Sequence, residues 1–205
     1  MEQSVGNASF WETKYQAAQF RWDLGQPTPP LVSFFDPAAI APTSGNVIVL
    51  GCGRGHDAVF LAQQGLTVTA VDFAPSAIAA TDQLAKDKDV SLTTLAQDIF
   101  TLDAKYENEF DYVFEHTCFC AIAPERRRDY VKLAATLLKP HGIFYGVFFT
   151  HNRDGGPPFG STPQEITELF STYFAIEKLE SVTNSVPSRQ GDEHWGILRR
   201  KVEDH

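Results

Sequence analysis

A buried strand that runs directly into a glycine-rich turn constrains this 205-residue chain more than any other segment. Residues 46–50 read Asn-Val-Ile-Val-Leu, the continuous apolar pattern of a strand that is buried on both faces of a sheet. Residues 51–55 then read Gly-Cys-Gly-Arg-Gly, and a helix is expected from His56. Small residues in such a turn let a ligand approach the backbone, and the first amides of the helix can bind it. The pattern predicts an α/β fold with a ligand at this turn.

The rest of the chain alternates between short apolar runs and helical patterns, which is typical of a doubly wound α/β sheet. Further strands are predicted at 66–71, 90–96, 110–114, 143–149, 174–182 and 194–201, and helices at 8–20, 29–35, 56–64, 75–86, 124–138 and 163–170. No helix is predicted between the last two strands, so we expect them to form an antiparallel hairpin at one edge of a seven-stranded, mostly parallel sheet. There is no linker and no internal repeat, which favours one domain.

The charge balance argues against several kinds of partner. The chain has 17 Lys and Arg against 26 Asp and Glu, a formal net charge of −9, whereas a duplex-binding protein needs clustered positive charge. The one basic run, residues 126–128, lies between Glu125 and Asp129 in a predicted helix, so we interpret it as a solvated face. No apolar run approaches the roughly 18 residues of a membrane span, and we find no secretory signal. We therefore expect no nucleic-acid or membrane partner, and a monomer with reduced thiols in the cytoplasm.

The spacing of the glycines indicates which ligand the turn binds. In the dinucleotide fingerprint G-x-G-x-x-G the third glycine would fall at position 56, where this chain has histidine. The tighter spacing suits a ligand without a pyrophosphate, such as S-adenosylmethionine (SAM). Asp72, at the end of the second strand, is placed to accept hydrogen bonds from ribose hydroxyls, and Asp98, after the third strand, from an adenine amino group. Each aspartate could instead cap a helix or a turn, but three such features in order favour SAM.

Four segments carry a family pattern along the chain. They read Trp-Asp-Leu-Gly-Gln-Pro-Thr-Pro at 22–29, Leu-Gly-Cys-Gly at 50–53 with Gly-His-Asp at 55–57, Phe-Cys-Ala-Ile at 119–122 followed by Pro-Glu-Arg at 124–126, and Gly-Gly-Pro-Pro-Phe at 155–159. With them the chain resembles the thiopurine S-methyltransferase family, and most closely its thiol and halide (thiocyanate) methyltransferase branch. The resemblance implies the class I SAM-dependent methyltransferase (Rossmann-like) fold. It also implies a helical lid over the cofactor at residues 1–36 and an α/β core at 46–205, within one domain.

The resemblance further implies which residues contact the cofactor and the substrate. Family members cover the cofactor with aromatic side chains, which by position are Trp11, Tyr15 and Trp22, and such faces stabilise a cation by about 0.5–2 kcal/mol. His116 stands where plant members have an active-site tyrosine, and we expect it to position an anionic nucleophile or to take a proton from a neutral thiol. The aromatic rings could instead belong to the core, and His116 could be a buried structural residue. The other residues implied to bind the cofactor are Gly51, Gly53, Asp72, Asp98 and Glu115.

These observations predict SAM-dependent methyl transfer to a small soft nucleophile, namely a thiol, hydrosulfide, thiocyanate or halide, with S-adenosylhomocysteine as the product. In-line displacement on a sulfonium needs alignment and desolvation more than a strong base. Cys118 and Cys120 lack the spacing of a zinc site, so no metal is expected. The alternatives are methylation of thiopurines or other aromatic thiols, methylation of selenium or tellurium compounds, and a non-catalytic SAM-binding module. An NAD(P)-binding oxidoreductase conflicts with the missing third glycine.

Overall fold

A computed structural model describes residues 5–36, 41–102 and 104–202 of the chain. Its backbone contacts divide the chain into two compact units, residues 1–102 and 103–205. The predicted single domain, with a lid at 1–36 and a core at 46–205, includes positions outside the described residues, and it stays a prediction.

The first unit is built on three parallel strands in the order β3-β2-β1. Its elements are α1 (Ala8–Gln16), α2 (Pro29–Phe34), β1 (Asn46–Leu50), α3 (His56–Gln63), β2 (Thr67–Asp72), α4 (Pro75–Asp87) and β3 (Thr93–Ala96). The four residues of β1 that follow Asn46 are buried, as the apolar run predicts. Because parallel strands point the same way, the carboxyl ends of β1 and β2 meet at one edge, where ligands of open α/β sheets bind.

α1 is shorter than the helix predicted at 8–20. It ends at Gln16, and Ala18 adopts a left-handed backbone with φ of 52°. The amide of Gln19 donates to the carbonyl of Lys14 at 2.8 Å, which closes the end of the helix. The chain therefore turns before Phe20 and leads into the segment that begins at Trp22.

The second unit has four strands in the order β4-β5-β7-β6. Its main elements are β4 (Phe110–His116), α5 (Arg127–Leu137), β5 (Leu138–Phe149), α6 (Pro163–Phe170), β6 (Phe174–Ser181) and β7 (Glu193–Arg200). β4 and β5 are parallel, while β7 runs antiparallel to both β5 and β6. The predicted hairpin of the last two strands is thus confirmed, and so is a fold with seven strands and an antiparallel end.

Aromatic side chains fill the interior of the second unit. Phe144 lies at its centre, with ring centroids 5.1 Å from Phe170 and 5.9 Å from Phe148. These three rings are 0% exposed. Phe119 joins them from the segment after β4, 5.7 Å from Phe148. The end of β4 is therefore packed against a rigid apolar interior.

The interpretation of residues 126–128 as a solvated face is wrong for Arg127. Arg127 is 1% exposed, whereas Arg128 is exposed. The Arg127 guanidinium lies over the Phe119 ring at 4.7 Å, and its Nη1 is 2.7 Å from Glu165 Oε1. Arg127 shares a buried helix face with Tyr130 and other residues three to four positions apart, so its long side chain points inward. The position of a charge within the helical period, rather than the run of charges, decides its burial.

No helix within residues 5–36, 41–102 and 104–202 is long and apolar enough to cross a membrane.

Candidate functional site

The glycine-rich turn after β1 depends on backbone conformations that favour glycine. Gly51, Gly53 and Gly55 have φ of 64°, 56° and 81°. A Cβ on Gly55 would lie 2.6 Å from the side chain of Thr81 in α4, so no larger residue fits there without a shift. A Cβ on Gly53 would lie 3.3 Å from the Tyr15 hydroxyl. The N-terminal segment therefore lies directly over the predicted ligand-binding turn.

Asp72, predicted to bind ribose, connects the end of β2 to this turn. Its Oδ2 accepts from the Gly53 amide at 3.0 Å and its Oδ1 from the Ala74 amide at 2.9 Å. The side chain is buried, and this burial raises the pKa of Asp72 to about 6, although the backbone hydrogen bonds oppose the shift. Each carboxylate oxygen has two lone pairs, so both can accept further hydrogen bonds from a diol.

Asp98, predicted to bind adenine, caps a turn in the structure. Its Oδ1 accepts from the Phe100 amide at 2.9 Å and opens the short 3-10 turn Ile99–Thr101. This is the capping role that the sequence left open as an alternative. A carboxylate that accepts one such bond retains further acceptor positions, so contact with an adenine amino group stays a prediction.

The three predicted lid aromatics lie together in the first unit. The ring of Trp22 packs edge-on against Trp11, with centroids 5.3 Å apart, and against Tyr15, at 5.6 Å. Its Nε1 donates to the Tyr15 hydroxyl at 3.4 Å. Burial raises the pKa of Tyr15 well above its usual value, so the phenol stays neutral. We call Trp11, Tyr15 and Trp22 the lid cluster.

A hydrogen-bonded contact fixes α1 on α4. Glu12 Oε1 accepts from the Ser76 hydroxyl at 2.6 Å, and Oε2 accepts from the Ser76 amide at 3.0 Å. These bonds lower the pKa of Glu12, which is consistent with an ionised carboxylate at the N-terminal turn of a helix. The contact positions α1, and with it Trp11 and Tyr15.

Asp23 explains the histidine that replaces the third glycine. Its Oδ1 lies 3.3 Å from His56 Nε2, and its Oδ2 accepts from Arg54 Nη1 at 3.1 Å. Burial opposes ionisation of Asp23, but hydrogen bonds from His56 and Gly25, together with the charge of Arg54, lower its pKa below the usual value. The segments at 22–29 and 50–57 thus contact each other through Asp23, Arg54 and His56. The position of the third glycine in the dinucleotide fingerprint, residue 56, takes part in this contact.

The first unit offers the groups that SAM requires. The glycine-rich turn has backbone conformations with positive φ, which favour glycine. Asp72 supplies a buried carboxylate beside the turn, and the lid cluster supplies aromatic ring faces. A sulfonium is stabilised by such faces, and a diol by such a carboxylate. The residues therefore fit this cofactor, on grounds of chemistry as well as resemblance.

In the second unit, Glu115 shapes the turn that follows β4. It is 0% exposed, and its Oε2 accepts from the amides of Cys118 and Phe119 at 3.1 and 2.9 Å. Thr117 has φ of 62°, an unfavourable backbone for a β-branched residue that this turn imposes. Glu115 was predicted to bind the cofactor. In the structure its carboxylate instead accepts hydrogen bonds from backbone amides of the turn that follows it. Cofactor contact by Glu115 stays a prediction.

His116, the last residue of β4, meets a charged pair from the segment before β7. Its Nε2 lies 2.7 Å from Arg189 Nη1, and the same Nη1 lies 3.2 Å from Glu193 Oε1. Arg189 is 7% exposed and Glu193 is 1% exposed. We call His116, Arg189 and Glu193 the second-unit triad.

The Gly-Pro segment, residues 155–159, is attached beside the end of β4. The amide of Phe159 donates to the carbonyl of Cys120 at 2.7 Å, and Arg127 Nη2 donates to the carbonyl of Phe159 at 3.2 Å. The third and fourth family segments are therefore in direct contact. Burial raises the pKa of Cys120 to about 12, so its thiol stays protonated and does not act as a nucleophile.

Reasoning from sequence alone missed five charged residues that organise these contacts: Asp23, Arg54, Arg127, Arg189 and Glu193. Asp23 had a detectable signal, because Asp-x-Gly favours a turn in which the carboxylate accepts from the glycine amide, here at 2.6 Å. Arg189 and Glu193 had none, because nothing local shows that a loop arginine faces a strand 73 positions away. Among the described residues, no group of three or more His, Cys, Asp and Glu side chains is arranged to hold a metal ion.

Comparison with known proteins agrees with this arrangement. The family model for thiopurine S-methyltransferase (TPMT) matches residues 6–203. Thiocyanate methyltransferase 1 of Arabidopsis thaliana is 31% identical over 196 residues, covering 93% of this chain and 84% of the relative. A second Arabidopsis thaliana protein, named probable thiol methyltransferase 2, is 29% identical over 209 residues, covering 98% and 89%.

The fold is also found among solved structures. The 1,6-didemethyltoxoflavin-N1-methyltransferase of Burkholderia thailandensis, solved with S-adenosylhomocysteine, superposes with a TM-score of 0.76 and 22% identity. The match covers 95% of this chain and 87% of that one. The predicted class I SAM-dependent methyltransferase fold is thereby confirmed.

Proposed function

Because the chain belongs to the thiopurine S-methyltransferase family and is a SAM-dependent methyltransferase, we propose that its acceptor is a small soft nucleophile: a thiol, hydrosulfide, thiocyanate or halide. When bound, SAM supplies an electrophilic methyl group on a sulfonium. The acceptor displaces the neutral thioether, takes the methyl group and leaves S-adenosylhomocysteine. The protein then has to align the acceptor and exclude water.

The first unit would hold the cofactor. In this proposal the lid cluster, Trp11, Tyr15 and Trp22, presents its ring faces to the sulfonium. The remaining contacts are assigned as the sequence predicts: ribose to Asp72 and adenine to Asp98, with Gly51, Gly53 and Glu115 as further cofactor contacts.

The observation that carries the choice of acceptor is the buried guanidinium of Arg189 beside His116. Although Glu193 balances its charge, Arg189 brings guanidinium hydrogen-bond donors to the carboxyl end of β4. Donors favour an acceptor that is an anion or becomes one by losing a thiol proton. The similarity to a thiocyanate methyltransferase over 93% of the chain supports the same choice. The thiols of Cys52 and Cys120, whose pKa values burial raises, have no part in the transfer.

The test is SAM turnover with iodide, thiocyanate, hydrosulfide and thiophenol in parallel. Turnover is measured as the release of S-adenosylhomocysteine. We expect release with at least one acceptor, in amounts equal to the methylated product. Binding of SAM without release for all four would contradict the proposal and support a non-catalytic SAM-binding protein.

A second candidate, methylation of an aromatic thiol such as a thiopurine, is favoured by the surroundings of Phe149. The guanidinium groups of Arg153 and Arg189 lie 5.5 and 5.7 Å from its ring, and the His151 ring lies 5.0 Å away. Such a group of rings and cations can stack on a flat substrate. A kcat/KM for thiophenol far above that for iodide and thiocyanate would favour this candidate.

A further inference from the structure

The second-unit triad determines which nitrogen of His116 carries a proton. A guanidinium has only hydrogen-bond donors and stays charged in proteins. Arg189 Nη1 lies 2.7 Å from His116 Nε2, so Nε2 has to be the acceptor of this bond. If Nε2 carried a proton, its N–H would point at the Nη1–H of Arg189 and the two groups could not form a hydrogen bond. In this arrangement the imidazole is neutral and carries its proton on Nδ1.

Glu193 pairs with Arg189 and also interacts with His116, which contributes to lowering the pKa of Glu193 against the effect of burial. Arg189 Nη1 carries two hydrogens, one for His116 Nε2 and one for Glu193 Oε1 at 3.2 Å. Glu193 Oε1 is 3.8 Å from His116 Nε2, which is too long for a hydrogen bond. The carboxylate therefore balances the buried charge of Arg189 and leaves the lone pair of the imidazole to the guanidinium.

The backbone holds Arg189 in this position. Arg189 ends the short 3-10 turn Pro187–Arg189, where its amide donates to Val186 at 2.9 Å. The Asp192 amide returns to the Arg189 carbonyl at 3.0 Å, and Gly191 supplies the left-handed residue of this turn, with φ of 85°. The guanidinium also lies 5.7 Å from the Phe149 ring. The contact with His116 is therefore built into the turn that starts β7.

We propose that Arg189, balanced by Glu193, is a positioning residue that keeps His116 neutral with its Nε2 lone pair occupied, so that His116 does not act as a base for the acceptor. This inference rests on the proposed function and narrows it, because the acceptor then has to arrive as an anion. Thiocyanate, halides and hydrosulfide do so directly. An aliphatic thiol, whose pKa is about 8.5, reacts only through its thiolate fraction.

Within the part of the chain that the structure describes, further charged and titratable groups lie near the triad, among them Arg127, which acts on Cys120 together with Arg189. They also include Glu115, Cys118 and Cys120 after or within the end of β4, His151 and Arg153 after β5, and Asp192 before β7. Arg153 offers a matched control for Arg189. It lies at the same Phe149 ring but pairs with Asp192 at 2.8 Å, and its side chain is 57% exposed.

The direct test measures the protonation state of His116. Long-range ¹H–¹⁵N correlation spectra of the full chain labelled with ¹⁵N-histidine report which ring nitrogen carries the proton. The His116→Gln variant identifies the signal among six histidines. We expect wild type and Arg153→Met to keep the Nδ1–H form from about pH 6 to pH 8. In Arg189→Met the imidazole keeps the Glu193 carboxylate and loses the guanidinium, and we expect it to become charged within that range. Arg189→Lys, which also only donates, should largely restore the neutral form.

Arg189→Met leaves Glu193 buried without its partner, which can prevent folding. The double variant Arg189→Met/Glu193→Gln removes both charges, and in it His116 should no longer be confined to the Nδ1–H tautomer, because the amide introduced at position 193 can accept as well as donate a hydrogen bond. Ordinary titration of His116 in the wild type, or an unchanged signal in the double variant, would overturn the proposal.

The pH dependence of turnover gives a second readout at saturating SAM. Above about pH 7 we expect kcat/KM for thiocyanate to be flat, and for an aliphatic thiol to rise about tenfold per pH unit up to the pKa of that thiol. A plateau well below the pKa of the thiol would show a protein base and contradict the proposal. The NMR result does not depend on turnover, so absence of methylation would contradict the proposed function alone.

Discussion

Asp72 shows how one buried carboxylate serves both the fold and the proposed cofactor site. It accepts from Gly53 on the glycine-rich turn and from Ala74 before α4, so it fixes the turn against the end of β2. Its desolvation raises its pKa to about 6, which lies inside the range in which enzymes are assayed. Its charge, and with it its strength as an acceptor for ribose hydroxyls, therefore changes at mildly acidic pH.

We predict that SAM binding weakens as the pH falls through about 6. Protonation of Asp72 removes its negative charge and turns one acceptor into a donor, so the Kd should rise, with a limit of about tenfold per pH unit below the pKa. Isothermal titration calorimetry between about pH 5 and pH 8 measures this dependence. Asp72→Asn should bind SAM weakly at every pH and show no such inflection. An inflection retained in the variant would assign the effect to a group other than Asp72.

His56 is a second residue whose local context was informative only in part. The departure from the dinucleotide fingerprint correctly indicated SAM instead of NAD(P), which the family confirms. The reason for the histidine lies elsewhere in the chain, because its partner is Asp23, 33 positions earlier. The spacing of the glycines could show that the turn does not suit a dinucleotide. It could not identify Asp23 as the partner of the histidine that stands at the third glycine position.

α1 is fixed on α4 by one hydrogen-bonded contact, in addition to the packing of its aromatic side chains. None of its residues is fully buried, and its packing runs mainly through the rings of Trp11 and Tyr15 against Trp22. Glu12 meets the Ser76 hydroxyl and amide at 2.6 and 3.0 Å, and the lid aromatics Trp11 and Tyr15 lie on the same short helix. Loss of this contact should free the helix without unfolding the sheet.

We predict that Glu12→Ala loosens the lid cluster. With both hydrogen bonds removed, the affinity for SAM should fall roughly tenfold, and protease cleavage near α1 should accelerate. Calorimetry and limited proteolysis with and without SAM measure the two effects. Thr13→Ala is the control, because Thr13 is exposed and bonds only to Ser9 within the helix. Equal affinity and cleavage in Glu12→Ala and Thr13→Ala would show that the contact does not position α1.

The boundaries of helices and strands were predicted best where one physical signal dominates. The strand Asn46–Leu50 and the helix Pro163–Phe170 match their predictions residue for residue, the first through continuous burial and the second through a proline at its start. The predicted helix at 124–138 begins instead with a 3-10 turn at Pro124–Arg126. Its last predicted residue, Leu138, is the first residue of β5. There, pairing in the sheet outweighed local helical preference.

Across the whole chain, sequence predicted the layout and the cofactor, whereas the ionic contacts between distant segments required the structure. Strand order and the antiparallel end follow from general rules of α/β folds. The positions of Arg127 and Arg189 do not, because a buried arginine is specified by partners that its neighbours in sequence do not reveal. The contact of Arg127 with Phe159 lies where the third and fourth family segments meet, whereas Arg189 and His116 lie outside all four segments.

We predict that Arg127 is required for the stability of the second unit and Arg128 is not. Arg127→Met removes the bonds to Glu165 and to the Phe159 carbonyl and should cost roughly 2–5 kcal/mol of unfolding free energy. Arg128→Met, on the exposed side of the same run, should change it by less than about 0.5 kcal/mol. Urea denaturation followed by circular dichroism compares the two. Equal losses of stability would restore the interpretation of the run as a solvated face.

The attachment of the Gly-Pro segment uses main-chain atoms of the segment itself. The Phe159 amide donates to Cys120, and the Phe159 carbonyl accepts from Arg127. Any residue except proline retains both groups, so the path of the segment does not depend on the side chain at its end. Natural variation or directed evolution can therefore exchange the side chain at position 159 and leave both bonds that attach the segment in place.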